Sequence, residues 1–315
     1  MRGMFTVLWG VFALSSLAAV SSRAQNVTPP STAKVRVTVT VVGRGQAAPP
    51  VVPKESVVVR QDDQVRPVLQ WERAQGSNAS LDLAIVIDDS LDTSVGNQLS
   101  DLASFIRALP ATTRVAVAYS SNGIARIQQD LTSDHELGAK SLRLPQGFSE
   151  APSGIYESLL DLNKRWHSTS NRRAVVLVAS GIDLLRGIVD SQPGVNQDLQ
   201  AAIDEFHRSA ISAYTIYASD PGRLGRNFFL TANGQGCLSR LTAETGGDSY
   251  SQGFQTPISF QPYLEDIRKL LGQQYLLTFE AQPRKKAGFA RLKVTAEERG
   301  AVLIVPDHVW VPAQE

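Results

Sequence analysis

Residues 84–94, AIVIDDSLDTS, constrain this chain more than any other stretch. An apolar strand, Ala84 to Ile87, runs directly into Asp88, Asp89, Ser90 and Asp92, and an amphipathic helix pattern starts shortly afterwards. Acids and hydroxyls at the carboxyl end of a buried strand stand where open α/β sheets place their ligands. The spacing Asp88-x-Ser90-x-Asp92 aims oxygen-bearing side chains at one point, as a hard divalent cation requires. Capping of the following helix by Asp92 or Ser94 is the plainer reading of the same residues. Three acids within five residues bring more repulsion than a cap needs, which favours a binding surface.

The pattern around this stretch sets the architecture. Upstream, residues 34–41 alternate strictly, with every valine on one face, as a half-buried strand does. Residues 56–60 and 65–71 read as further short strands, so 34–73 form a β segment. From Leu81 onward, apolar strands alternate with helices of 3.6-residue period. Strands are expected at 83–87, 115–119, 174–179 and 211–218, and helices around Leu102, Leu159, Ile203, Leu241 and Ile267. Residues 124–128 pair with 115–119 through the turn Ser121-Asn122-Gly123. The run 219–236, rich in glycine, reads as a long connection carrying Phe228 and Phe229, with Cys237 at the start of a short helix. Strand periodicity returns at 275–280, 289–295 and 301–305. Too few strands lie at either end to be stable alone. The expectation is therefore an α/β, doubly wound, mostly parallel sheet domain (78–260), inserted into a β-sandwich. The sandwich is built from 34–73 and a carboxyl-terminal helix and β segment, 261–315.

Composition and termini narrow the class. Residues 1–24 read as a secretory signal: Arg2, an apolar core from Phe5 to Val20, and the small-residue site Ser22-Arg23-Ala24. A polar linker, 25–33, follows. The expected product is exported, periplasmic or secreted, with no membrane span after cleavage. Lys and Arg number 31 against 30 acids, with no basic stripe, so no nucleic acid is expected as a partner. One cysteine excludes an internal disulfide framework, and four scattered histidines leave too little for a zinc site. No GxSxG elbow, HExxH pair or phosphate-binding glycine motif occurs, so no enzyme is expected.

In order along the chain, KESVVVRQDDQVRPVLQW, AIVIDDSLDTS, SGIYESL, VVLVASGID, LSRLTAETGGDSY and QQYLLTFEAQP resemble the secreted bacterial VWFA-related proteins common in Acidobacteria. Residues 81–258 resemble a von Willebrand factor A domain, whose metal-ion-dependent adhesion site is written DxSxS, then Thr, then Asp. The resemblance implies a metal set of Asp88, Ser90, Asp92, Ser153 and Ser180. Asp92 stands where the family has a second serine, Ser153 where it has threonine, and Ser180 where it has aspartate. The site is thus degenerate, with its negative charge moved rather than lost. It implies Mg²⁺, or Mn²⁺ or Ca²⁺, and a protein partner that offers a carboxylate ligand. Asp89, Asp183, Phe228 and Phe229 are candidate partner-binding residues at the same mouth. A structural subunit of an envelope assembly is the second reading, and a metal-assisted hydrolase the third.

Overall fold

In the computed structural model the described residues are 33–45, 47–147, 154–167 and 169–313. The expected signal, nearly all of the linker, and Ser153 lie outside them. The chain begins with β1 (Ala33–Gly43), β2 (Val57–Gln61), β3 (Gln64–Arg66) and β4 (Val68–Arg73). It continues through β5 (Leu81–Asp88), α1 (Leu99–Arg107), β6 (Thr113–Ser121), β7 (Ile124–Thr132) and α2 (His135–Lys140). Next come α3 (Ile155–Arg165), β8 (Arg172–Ala179), α4 (Gln197–Ser209), β9 (Ile211–Tyr217) and α5 (Gly222–Gly225). The remainder is α6 (Phe228–Thr245), β10 (Ser249–Tyr250), α7 (Gln261–Gly272), β11 (Gln274–Ala281), β12 (Gly288–Ala296), β13 (Ala301–Ile304) and β14 (His308–Val311).

Every residue of β5 is buried, which explains its nearly continuous apolar run: both faces are covered. It lies inside a six-stranded sheet of order β10-β9-β8-β5-β6-β7, parallel except for the β6–β7 hairpin at one edge. Helices α1, α2 and α7 cover one face through Leu102, Phe105, Ile106, Leu264 and Ile267. Helices α3, α4 and α6 cover the other through Leu159, Ile203, Phe206, Leu238 and Leu241. This is the doubly wound α/β domain of the expectation. Because α7 packs on the α/β core, the chain leaves that domain only at Gln274.

The flanking segments form two four-stranded sheets, β13-β1-β11-β4 and β14-β12-β2-β3. Strand β1 pairs antiparallel with β11 from Ala33↔Ala281 to Thr40↔Gln274. Val35, Val37, Val39 and Val41 on β1 share one core with Val57, Val59, Leu277, Phe279, Leu292 and Val294. One apolar face per sheet is what the period-2 pattern of both segments requires. Trp71 stacks on Tyr275 at 4.5 Å between ring centroids and donates its indole N–H to the Val52 carbonyl at 2.8 Å.

One element departs from expectation. Residues 228–236 are the first turns of α6, and Cys237 lies buried in the middle of that helix. The glycines that read as loop serve close packing instead. A Cβ at Gly234 would overlap the Ser180 carbonyl oxygen and stand 2.9 Å from the Ile182 nitrogen. Asn227 starts the helix, its side chain accepting from the Leu230 N–H at 3.1 Å. Gly246, at φ 78°, ends it in the left-handed region.

Candidate functional site

The carboxyl ends of β5, β8 and β9 lie side by side, so register alone brings Asp88, Ser180 and Asp220 to one rim. Asp88 is 1% exposed, and its Oδ1 accepts the Ser90 Oγ–H at 2.7 Å and the Ser90 N–H at 3.0 Å. Ser180 is fully buried; its Oγ donates to Asp220 Oδ2 at 2.8 Å and accepts the Ile182 N–H at 3.2 Å. Asp220 is 7% exposed, and its other oxygen, Oδ1, is buried with no hydrogen-bond partner among the described residues. Burial, and then the charge of Asp88, push the Asp220 carboxyl up to about 8, while the Ser180 hydroxyl opposes the shift. Two buried acids thus repel one another at this rim.

The other expected site residues have different partners. Asp92 caps the short 3₁₀ turn Thr93–Gln98, its carboxylate accepting the Ser94 N–H at 2.8 Å. That bond and the Ser94 hydroxyl hold its carboxyl below the ordinary range. The second buried carboxylate of the mouth is thus Asp220, which sequence inspection overlooked. Asp89 turns inward, where Arg143 grips it in bidentate fashion at 2.7 and 2.9 Å and the Gln146 N–H adds a third bond at 3.1 Å. Asp183 is buried with Oδ1 accepting the Leu185 N–H at 3.0 Å, and burial raises its pKa. Ser153 is not among the described residues. The signal for Asp220 was present all along: it ends the strand-like run ISAYTIYASD, just as Asp88 ends β5.

Exposed apolar side chains lie on the connections that leave this end of the sheet. Ile258 is 93% exposed, Phe228 69% and Phe229 52%, and Leu185, Ile188 and Val189 are exposed on the connection that leaves β8. Phe228 meets Phe254 edge to face at 4.9 Å, which ties the start of α6 to the loop after β10. That loop is held to the end of β9 by Thr256, whose Oγ1 accepts the Ser219 N–H at 3.0 Å.

Among the described residues the histidines are less scattered than the sequence implied. His207 and His308 flank Asp307, far from the mouth, at the junction of the α/β domain with the sandwich.

No family model and no curated protein matches the chain. Among solved structures, BatB from Bacteroides thetaiotaomicron is 12% identical, covering 61% of this chain and 97% of its own, at TM-score 0.43. The vWF domain of the type V pili tip protein Mfa5 from Porphyromonas gingivalis is 10% identical, covering 60% and 94%, at 0.43. The ArnB paralog VWA2 from Sulfolobus acidocaldarius is 8% identical, covering 90% and 75%, at 0.41. The strand order β10-β9-β8-β5-β6-β7, one antiparallel edge and helices on both faces decide the architecture. The fold is von Willebrand factor A-like. Among the described residues, no helix is long and apolar enough to cross a membrane.

Proposed function

We propose that this chain is an exported, non-enzymatic recognition module that engages a protein partner through the carboxyl-end face of its α/β domain. The observation that carries the reading is Asp220 Oδ1, buried beside Asp88 with no hydrogen-bond partner among the described residues, at the end of the sheet whose connections carry exposed apolar side chains. A buried carboxylate oxygen without a partner costs free energy that a cation or a proton removes. Exposed aromatic and branched apolar groups around a polar centre are the composition of a protein-binding face.

The oxygens of Asp88, Ser90 and Asp220 suit a hard divalent cation such as Mg²⁺ or Mn²⁺. Bound there, the cation supplies a Lewis-acidic position at which a partner carboxylate becomes a ligand. The chain's own residues orient that contact: Ser180 fixes Asp220 through Oδ2 and leaves Oδ1 without a donor among the described residues, while Ser90 anchors Asp88. Asp92 stabilises the loop that carries Ser90 by capping its turn. The signal-like residues 1–24 place the module outside the cytoplasm in this reading.

Calorimetric titration of Mn²⁺ at pH 8 tests the cation, with saturable heat expected for the wild type and lost in Asp88→Asn and Asp220→Asn. A flat titration of the wild type removes the cation from the account. Capture of a partner from envelope extract tests the face. A partner retained by the wild type and lost on Phe228→Asp with Ile258→Asp supports it, and equal retention by both refutes it.

A further inference from the structure

Two histidines 101 positions apart converge on one aspartate where the end of α4 and the end of α6 meet the start of β14. His207 Nε2 stands 3.2 Å from Asp307 Oδ1, and His308 Nδ1 stands 3.0 Å from the same oxygen. His207 Nε2 also lies 2.7 Å from the Glu244 carbonyl oxygen. Asp307 Oδ1 is buried between the two rings; burial pushes the Asp307 carboxyl up, but its interactions with the rings hold it below its ordinary range.

We propose that His207, Asp307 and His308 form a second cation site, distinct from the strand-end mouth and selective for a borderline transition metal such as Zn²⁺. The distance of each ring nitrogen from Asp307 Oδ1 fits, since ligand atoms about 2.0–2.1 Å from one ion stand about 3.0 Å apart at right angles and about 3.4 Å apart tetrahedrally, and all three ligand atoms lie within 4.8 Å of one another. Imidazole nitrogen with carboxylate oxygen favours Zn²⁺ or Co²⁺ over Mg²⁺, which prefers an all-oxygen shell. The Glu244 carbonyl lies close enough to join as a further oxygen donor. His207 is buried and held on α4, whereas Asp307 and His308 are half-exposed, so the site has one fixed ligand and an open side toward solvent. A cavity of about 10 Å³, roughly one water molecule in size, is lined by both histidines with Thr245 and Pro306. In the metal-free form Nε2 of His207 keeps a proton for Glu244. Binding moves that proton to Nδ1, so the neutral ring serves as the ligand.

The consequence is a clasp. His207 and Glu244 belong to the α/β domain, and Asp307 and His308 to the sandwich, so an ion shared among them joins the two halves of the fold. The test uses the full chain stripped of metal, with Zn²⁺ and Co²⁺ as probes at pH 7.5. Expected are saturable binding, visible absorption of the Co²⁺ form, and a rise in melting temperature of several degrees with Zn²⁺. His308→Ala, at a half-exposed position, is expected to weaken binding at least tenfold and to abolish the rise, as is Asp307→Asn. In Asp88→Asn, which removes the mouth as a competing site, the binding that depends on His308 and Asp307 is expected to persist. Three results overturn the proposal: no saturable binding of either ion at millimolar concentration, binding unaffected by both His308→Ala and Asp307→Asn, or binding lost in Asp88→Asn, which assigns the ion to the mouth.

Discussion

Strand β5 carries a buried aspartate at each end, and the two ends have different neighbours. At the amino end Asp82, fully buried, receives Arg114 in bidentate fashion at 2.8 and 2.7 Å, the Thr169 hydroxyl at 2.9 Å and the Asn171 amide at 3.0 Å. Burial pushes its pKa up, but these donors more than offset that and hold the carboxyl below its ordinary range. At the carboxyl end Asp88 shares its rim with Asp220, whose carboxyl is raised and whose Oδ1 has no partner among the described residues. A buried acid saturated by its own chain is a structural part. One left short of donors beside another acid is poised to take something from outside. The contrast separates scaffold from site without any appeal to family.

The comparison can be broken in graded steps. Asp82→Ala should cost the most, about 3–5 kcal/mol, because it leaves the Arg114 guanidinium and two polar side chains without their acceptor. Urea denaturation at pH 7 measures it. The contribution of Asp82 is present above the unfolded carboxyl pKa and is lost as pH falls through the lowered folded value, so the gap between wild type and variant should narrow in acid. Asp89→Ala should cost about 2–4 kcal/mol by the same logic, since it strips the bidentate partner of Arg143, and the same denaturation series reads it. Asp92→Ala should cost about 1 kcal/mol, the loss of one cap, visible as a small drop in melting temperature. Phe228→Ser, on the exposed rim, should change stability by less than about 0.5 kcal/mol. A large loss there would mean that the rim belongs to the core.

Much of the fold was readable because the period of burial changes visibly along the chain. The valines of β1 alternate, AVVLVA in β8 does not, and each pattern has one structural meaning. The α6 start was misread because Gly234 and Gly236 weaken a helix in isolation, and only the approach of the Ser180 carbonyl explains the first of them. The site was half legible. Asp88, Ser90 and Ser180 are local to strand ends, and strand ends are predictable. Asp220 closes the run ISAYTIYASD, yet it lies beyond the last residue of β9, so only the pairing of β9 with β8 shows that it reaches the mouth. Asp92 satisfied two readings at once, cap and ligand, and its bond to the Ser94 N–H is a matter of geometry within four residues. His207 and Asp307 meet only because the two β segments close into a sandwich beside α4 and α6.

The most direct test of the central claim is the pH dependence of unfolding free energy for the wild type and Asp220→Asn, measured in chelator from pH 5 to pH 9. A folded pKa raised above the unfolded value means that the native state holds a proton that the unfolded chain releases, so wild-type stability must fall as pH climbs from about 4 towards 8. The account predicts that Asp220→Asn escapes this fall and becomes the more stable protein at pH 8 by at least about 1 kcal/mol. Parallel curves, or a variant less stable than the wild type at pH 8, would contradict it.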